Sequence, residues 1–155
     1  MKRFILAAGA CALAFASVLP TFAADMALRS AYAPTLNGGP TVLLWGDAAG
    51  LNALSVFLRK MLIVSGAETL DDFCEPVDGR TITVRMRANR RDSGMRLNHE
   101  DLEWTLRPQV ADDFAELVGA LAASQKSGHQ YLICGVTDEI TVMVSQGEYP
   151  ENLRP

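Results

Sequence analysis

The stretch that decides the fold is residues 102–145, LEWTLRPQVADDFAELVGALAASQKSGHQYLICGVTDEITVMVS, because it repeats the plan of residues 41–87, TVLLWGDAAGLNALSVFLRKMLIVSGAETLDDFCEPVDGRTITVRMR. The landmarks recur in one order. Leu51, Leu54 and Leu58 answer to Phe114, Leu117 and Leu121, Ser65-Gly66 to Ser127-Gly128, Phe73-Cys74 to Ile133-Cys134, and Ile82-Thr83-Val84 to Ile140-Thr141-Val142. Each half reads strand, helix, strand, strand, and the recurrence predicts an internal duplication. The plainer alternative is that two α+β halves share apolar periodicity without a common origin.

The local chemistry supports these elements. Thr41 to Trp45 is a short apolar strand, Asp47 is a good N-cap, and Leu51, Leu54, Leu58, Met61 and Leu62 trace one stripe of a helix that Gly66 ends. Pro76-Val77-Asp78-Gly79 is a turn into Thr81 to Arg87, where apolar and polar residues alternate. Met95 to Asn98 returns as a hairpin strand before the turn at His99-Glu100-Asp101. Leu102, Trp104 and Leu106 alternate with polar residues, and Pro108 opens a second helix with Val110, Phe114, Leu117 and Leu121 as its buried stripe and Gly128 as its stop. His129 to Cys134 and Glu139 to Ser145 then form a second hairpin around Gly135 to Asp138.

These units predict an α+β fold, most economically one mixed sheet with two helices on one face, since a helix with a single apolar stripe needs a sheet to cover it. The opposite sheet face would carry Thr81, Thr83, Arg85, Arg87, Glu103, Thr105, Thr141 and Met143. Residues 41–148 form a single domain by this reading. Residues 25–40, with two prolines and Asn37-Gly38-Gly39-Pro40, are expected to be a flexible leader, and residues 149–155 an irregular C-terminal tail.

Residues 1–24 read as a signal peptide. Lys2 and Arg3 precede the apolar run from Phe4 to Leu19, and small residues place cleavage near Ala23 or Ala24, so a periplasmic or secreted location is expected. The run is too short to span a bilayer, and no membrane insertion is expected after cleavage. The remaining chain keeps all 18 acidic residues and loses two of its 14 basic ones. That acidic balance argues against nucleic acid, whose binding needs a basic surface.

Two cysteines remain after cleavage, Cys74 and Cys134, both on the strand following a helix. In an oxidising compartment they are candidates for a disulfide, or else are two separate small buried residues. No Cys-x-x-Cys, Gly-x-Ser-x-Gly, His-Glu-x-x-His or phosphate-binding glycine loop occurs, so no catalytic residue, metal ligand set or cofactor is assigned. His99 lies in a polar turn and His129 at a strand start; a histidine-dependent hydrolase built on either is the enzyme alternative, and an envelope-structural role a further one.

The strongest functional feature is charge asymmetry. Arg80, Arg85, Arg87, Arg90, Arg91 and Arg96 lie within 17 residues of an otherwise acidic chain. Arginine at that density suits bidentate recognition of carboxylates or phosphates. Arg85, Arg87, Arg90, Arg91 and Arg96 are therefore candidates for contact with a protein of acidic surface. The alternative is a solvated hairpin whose charges protect an exposed sheet edge.

Val42-Leu43-Leu44-Trp45-Gly46-Asp47-Ala48-Ala49-Gly50-Leu51-Asn52-Ala53-Leu54, with the later His129-Gln130-Tyr131-Leu132 and Ile140-Thr141-Val142 strands, resembles the strand, Asp/Asn-x-x-Gly-Leu-x-x-Leu helix and His-containing strand of small bacterial toxin-immunity proteins. The pattern is split between the halves: Gly50-Leu51 stand in the first and the histidine in the second, where Asp113-Phe114 replace Gly-Leu. The resemblance implies a non-catalytic, cofactor-free protein that binds and blocks a toxin, and the signal peptide then implies a toxin acting in the periplasm.

Overall fold

A computed structural model describes residues 28–153, apart from 90, 92 and 151. The signal peptide and its cleavage site lie outside the described residues, as does Arg90.

The described residues form nine strands and two α-helices: β1 (Leu28–Ala33), β2 (Thr41–Gly46), α1 (Ala48–Lys60), β3 (Ala67–Thr69), β4 (Cys74–Pro76), β5 (Ile82–Met86), β6 (Gly94–Asn98), β7 (Asp101–Leu106), α2 (Pro108–Ser124), β8 (Gly128–Leu132) and β9 (Thr141–Gln146). The class is α+β with mixed strand pairing, as the sequence predicts. The strands divide into two sheets rather than one, in the orders β4-β1-β2-β9-β8 and β3-β5-β7-β6. Pairing explains the division. Both edges of β2 are taken, by β1 and β9, and both edges of β7 by β6 and β5. Both strands are therefore internal to their own sheets, and among the described residues one isolated bridge, Met95 to Ile140, links the two sheets.

The arrangement has a topological two-fold. An offset of 60 residues carries Ala48 at the start of α1 to Pro108 at the start of α2, Ile82 of β5 to Val142 of β9, and Cys74 to Cys134. It also carries one parallel register onto the other: Val42 pairs with Val142, and Leu102 with Ile82. The first strand of each half thus pairs with the last strand of the other half. Leu54, not Leu51, therefore stands where Phe114 stands.

Local chemistry fixes the helices. The Asp47 carboxylate accepts from the Gly50 amide at 2.8 Å, a side-chain cap of the first turn. Pro108 occupies the first turn of α2. The end of α2 comes earlier than glycine placement suggests, at Gln125, whose φ of 52° is left-handed, and Gly128 already belongs to β8. The buried stripe of α2 is Ala111, Phe114, Ala115, Val118, Leu121 and Ala122, while Leu117 faces outward. Alanines bring this face close to α1, and bulky residues alone do not mark it.

One core fills the space among the helices and the inner sheet faces. Leu28, Val42, Leu44, Val142 and Val144 come from the five-stranded sheet, Ile82, Val84, Leu102, Trp104 and Leu106 from the four-stranded one, and Trp104 stacks on Phe114 at 6.0 Å between centroids. Against expectation, residues 25–40 are not a flexible leader over their described part. Leu28 to Ala33 runs antiparallel to β2 and parallel to β4, with Leu28, Ser30, Ala31 and Ala33 buried. Small residues fit between two flanking strands, and strand pairing supplies the order that local pattern does not.

The outer face of the five-stranded sheet is a second apolar layer of Ala31, Leu43, Trp45 and Met143, covered by Leu36, Val77, Tyr149 and Leu153. The tail is anchored in its described part: the Trp45 indole donates to the Pro150 carbonyl at 3.2 Å. No helix among the described residues is long and apolar enough to cross a membrane.

Candidate functional site: the arginine face of the four-stranded sheet

The outer face of the four-stranded sheet is polar and open. Register puts Thr83, Glu103 and Arg96 in one row and Arg85, Thr105 and Gly94 in the next. At its centre the Glu103 carboxylate sits 3.5 Å from Arg85 Nε and accepts from the Asn98 amide at 3.4 Å and the Thr105 hydroxyl at 3.5 Å. One acid is thereby surrounded by donors, and its charge offsets that of Arg85.

Arg87 and Arg91 stand beyond this cluster on the loop joining β5 to β6. With Arg96, Leu97, Asn98, Glu103 and Thr105 they line an open concavity of ≈ 690 Å³. Among the described residues no carboxylate pairs with Arg87 or Arg91. The loop's described residues are tied down. The Arg87 amide donates to Leu106 O at 2.8 Å, the Arg91 amide to Asn89 Oδ1 at 3.0 Å, and Arg96 Nη2 to Arg91 O at 3.4 Å, while buried Ser93 donates to Asn89 O. Four of the five arginines singled out in the sequence thus share one surface. Arg80 is apart, donating to Glu100 O and lying over the Tyr32 ring.

Arg91 also borders a second concavity of ≈ 530 Å³ with Asn89, Gly135, Val136 and Thr137. Its far wall is the loop after β8, fastened by Glu139, whose carboxylate accepts from the amides of Cys134 (3.0 Å), Gly135 (2.7 Å) and Val136 (3.4 Å). Gly94 lets that carboxylate approach: its φ is +107°, and a Cβ there would lie 2.9 Å from Glu139 Cβ. Val136 and Thr137 carry no sequence signal of function, being about 40 positions from Arg96 in the chain.

The two cysteines do not form the expected disulfide. Both are free and buried. Cys74 is on β4 and Cys134 just past β8, the two opposite edges of the five-stranded sheet, so the equivalent positions of the two halves are held apart rather than side by side. Burial pushes the Cys74 thiol up to about 12 and the Cys134 thiol up to about 11, the latter also raised by Glu139.

The histidines stand in different sheets. His99, exposed, takes a left-handed φ of 57° in the turn between β6 and β7. His129 Nδ1 lies 2.9 Å from Glu148 Oε2, which also accepts from the Ser145 hydroxyl at 2.7 Å, and its ring meets Tyr131 edge-on. This is not a nucleophile-base pair, because Ser145 is fully buried and donates to the carboxylate rather than to the imidazole. No group of three acidic, histidine or cysteine side chains with metal-binding geometry occurs among the described residues.

No protein-family model, curated protein or solved structure matches the chain.

Proposed function

We propose that the protein is an exported, non-catalytic binding protein that inhibits an acidic protein partner through the face carrying Arg85, Arg87, Arg91 and Arg96. The observation that carries this reading is the contrast between the two outer sheet faces, which we take as products of an internal duplication. Sixty residues from Thr83, Arg85, Arg87 and Glu103 stand Met143, Ser145, Gly147 and, counting backwards, Leu43. One face is apolar and packed by the tail; the equivalent face is charged, concave and, among the described residues, uncovered. Arg87 and Arg91, which have no carboxylate partner among the described residues, hold a positive potential ready for a carboxylate. A role as a toxin-immunity protein of the periplasm agrees with the strand and helix pattern around Gly50-Leu51 and with the amino-terminal targeting sequence. The hydrolase reading has less support, since the hydroxyl joined to the His129–Glu148 pair is buried.

The test is capture of envelope and secreted proteins on the immobilised protein and on an Arg87→Glu/Arg91→Glu variant shown to fold. A partner held by the wild type and lost by the variant is expected. Histidine-dependent turnover of ester, glycan or phosphate substrates, abolished by His129→Ala or His99→Ala, would replace this reading with the enzyme one.

A further inference from the structure

We propose that the arginine face takes its partner as an extended peptide segment, one carboxylate side chain entering among Arg87, Arg91 and Arg96 and an apolar side chain two positions away entering the chamber lined by Val136 and Thr137. This rests on the partner-binding reading above and names what the partner presents.

The two concavities adjoin at Arg91, which lines both, and they differ in character. The first chamber is cationic. Glu103 at its base makes it a poor host for a cluster of negative charges and leaves it matched to a single carboxylate, while the Asn98 amide and Thr105 hydroxyl offer neutral polar contacts to a peptide main chain. Leu97, 45% exposed, adds an apolar rim. Among the described residues Arg91 is the one charged group lining the second chamber, beside Asn89, Gly135, Val136 and Thr137. Side chains two positions apart in an extended chain point the same way, so a carboxylate and an aliphatic group at that spacing face the two chambers together. Both walls are fixed beforehand, one by the Arg96 bond to Arg91 O and the other by the three amides on Glu139.

The probe is a capped peptide, Leu-Thr-Glu-Thr-Leu, whose symmetry makes strand direction immaterial, titrated by NMR beside Ser-Thr-Glu-Thr-Ser and Leu-Thr-Gln-Thr-Leu. The wild type should prefer the first peptide to either control by roughly tenfold, as burial of one aliphatic side chain or pairing of one carboxylate implies. Val136→Thr, which keeps the shape of a side chain packed partly on the core and adds no charge beside Arg91, should weaken the preference for leucine over serine and leave that for glutamate over glutamine. Arg87→Glu/Arg91→Glu should erase the preference for glutamate over glutamine. Equal binding of the leucine and serine peptides, with both weakened by the arginine reversal, overturns the two-chamber proposal and leaves the arginine face standing. If no peptide responds to the arginine reversal, both fall. Inorganic phosphate binding more tightly than Leu-Thr-Glu-Thr-Leu would give the chamber to phosphate chemistry and also overturn the proposal.

Discussion

Ser55 and Ala115 meet where α1 and α2 cross: the buried Ser55 hydroxyl donates to the Ala115 carbonyl at 2.7 Å. They are equivalent positions of the two halves, so the crossing lies on the topological two-fold. Gly119 stands one turn further along α2, where a Cβ would come within 3.2 Å of Ser55 Oγ. A hydroxyl held by its own hydrogen bond cannot easily yield. Gly119→Ala should therefore gain nothing in the wild type and cost up to about 1 kcal/mol. In a Ser55→Ala background the nearest remaining atom is 3.9 Å away, and the same substitution should stabilise by about 1 kcal/mol through helix propensity. Urea denaturation of the four proteins measures the coupling; additive effects would mean the helices do not cross there.

The buried thiols give the stability a basic limit. Folding raises the Cys74 and Cys134 values from 9.0 to about 12 and about 11. A group whose folded value is raised contributes stability that is fully present below its unfolded value and lost as pH climbs through the folded one. Unfolding free energy should accordingly fall between pH 9 and about 12, and Cys74→Ala should flatten that fall. A chain of residues 25–155 should react slowly with iodoacetamide at pH 8 when native and at two sites when denatured. A melting temperature lowered by reductant would instead indicate a bridge.

Gly94 ties the fold to the second chamber. Its left-handed backbone and its contact with Glu139 leave no room for a side chain, so Gly94→Ala should cost roughly 2–4 kcal/mol from strain and overpacking together. Glu139→Gln keeps the shape but not the charge that binds three amides, and should cost about 1–2 kcal/mol. Amide exchange at Gly135 and Val136 should quicken in Glu139→Gln more than at Leu132. Unchanged protection there would show that Glu139 does not hold the loop.

Much of this was legible in the chain. Asp47, Pro108 and the leucine stripe of α1 fixed both helix starts, because capping and amphipathic spacing act locally. Strand β1 was hidden because Leu-Arg-Ser-Ala-Tyr-Ala has no bulky alternation, and its burial comes from β2 and β4 on either side. The inward face of α2 was misread by one position, since the alanines that allow the helices to approach carry no hydrophobic signal of their own. The division into two sheets is a matter of which strand of one half pairs with which of the other, and no local pattern encodes that. At the site, the arginine run was visible. Its neighbour Val136 was not, because that loop reaches Arg91 through the Met95–Ile140 bridge and the packing of Gly94 against Glu139, neither of which local pattern encodes.

Glu103 tunes the arginine face from within. Its pair with Arg85 is partly exposed, so its loss should cost less than about 1 kcal/mol of stability. Glu103→Gln retains the Thr105 and Asn98 contacts while releasing the Arg85 charge. Binding of an acidic ligand should strengthen, and its salt dependence should steepen. Weaker binding in Glu103→Gln, with folding intact, would mean that the carboxylate itself contacts the ligand.

The tail closes the sheet face that the arginines leave open on the other side of the fold. Tyr149 and Leu153 cover Leu43, Trp45 and Met143, Pro150 O accepts from Trp45, and Glu148 joins His129 to Ser145. Burial and the neighbouring Glu148 also push the Tyr149 hydroxyl above its usual range. Deleting residues 148–155 should cost about 2–4 kcal/mol, from two partly buried side chains and one indole hydrogen bond. Trp45 would become exposed while Trp104 stayed buried, so the emission should move only partly to the red, and a Trp45→Phe version of the deletion should lack the shift. If the tail were merely resting on the surface, neither stability nor emission would change. The face would then owe its apolar character to a partner, and the contrast between the two sheets would lose its meaning.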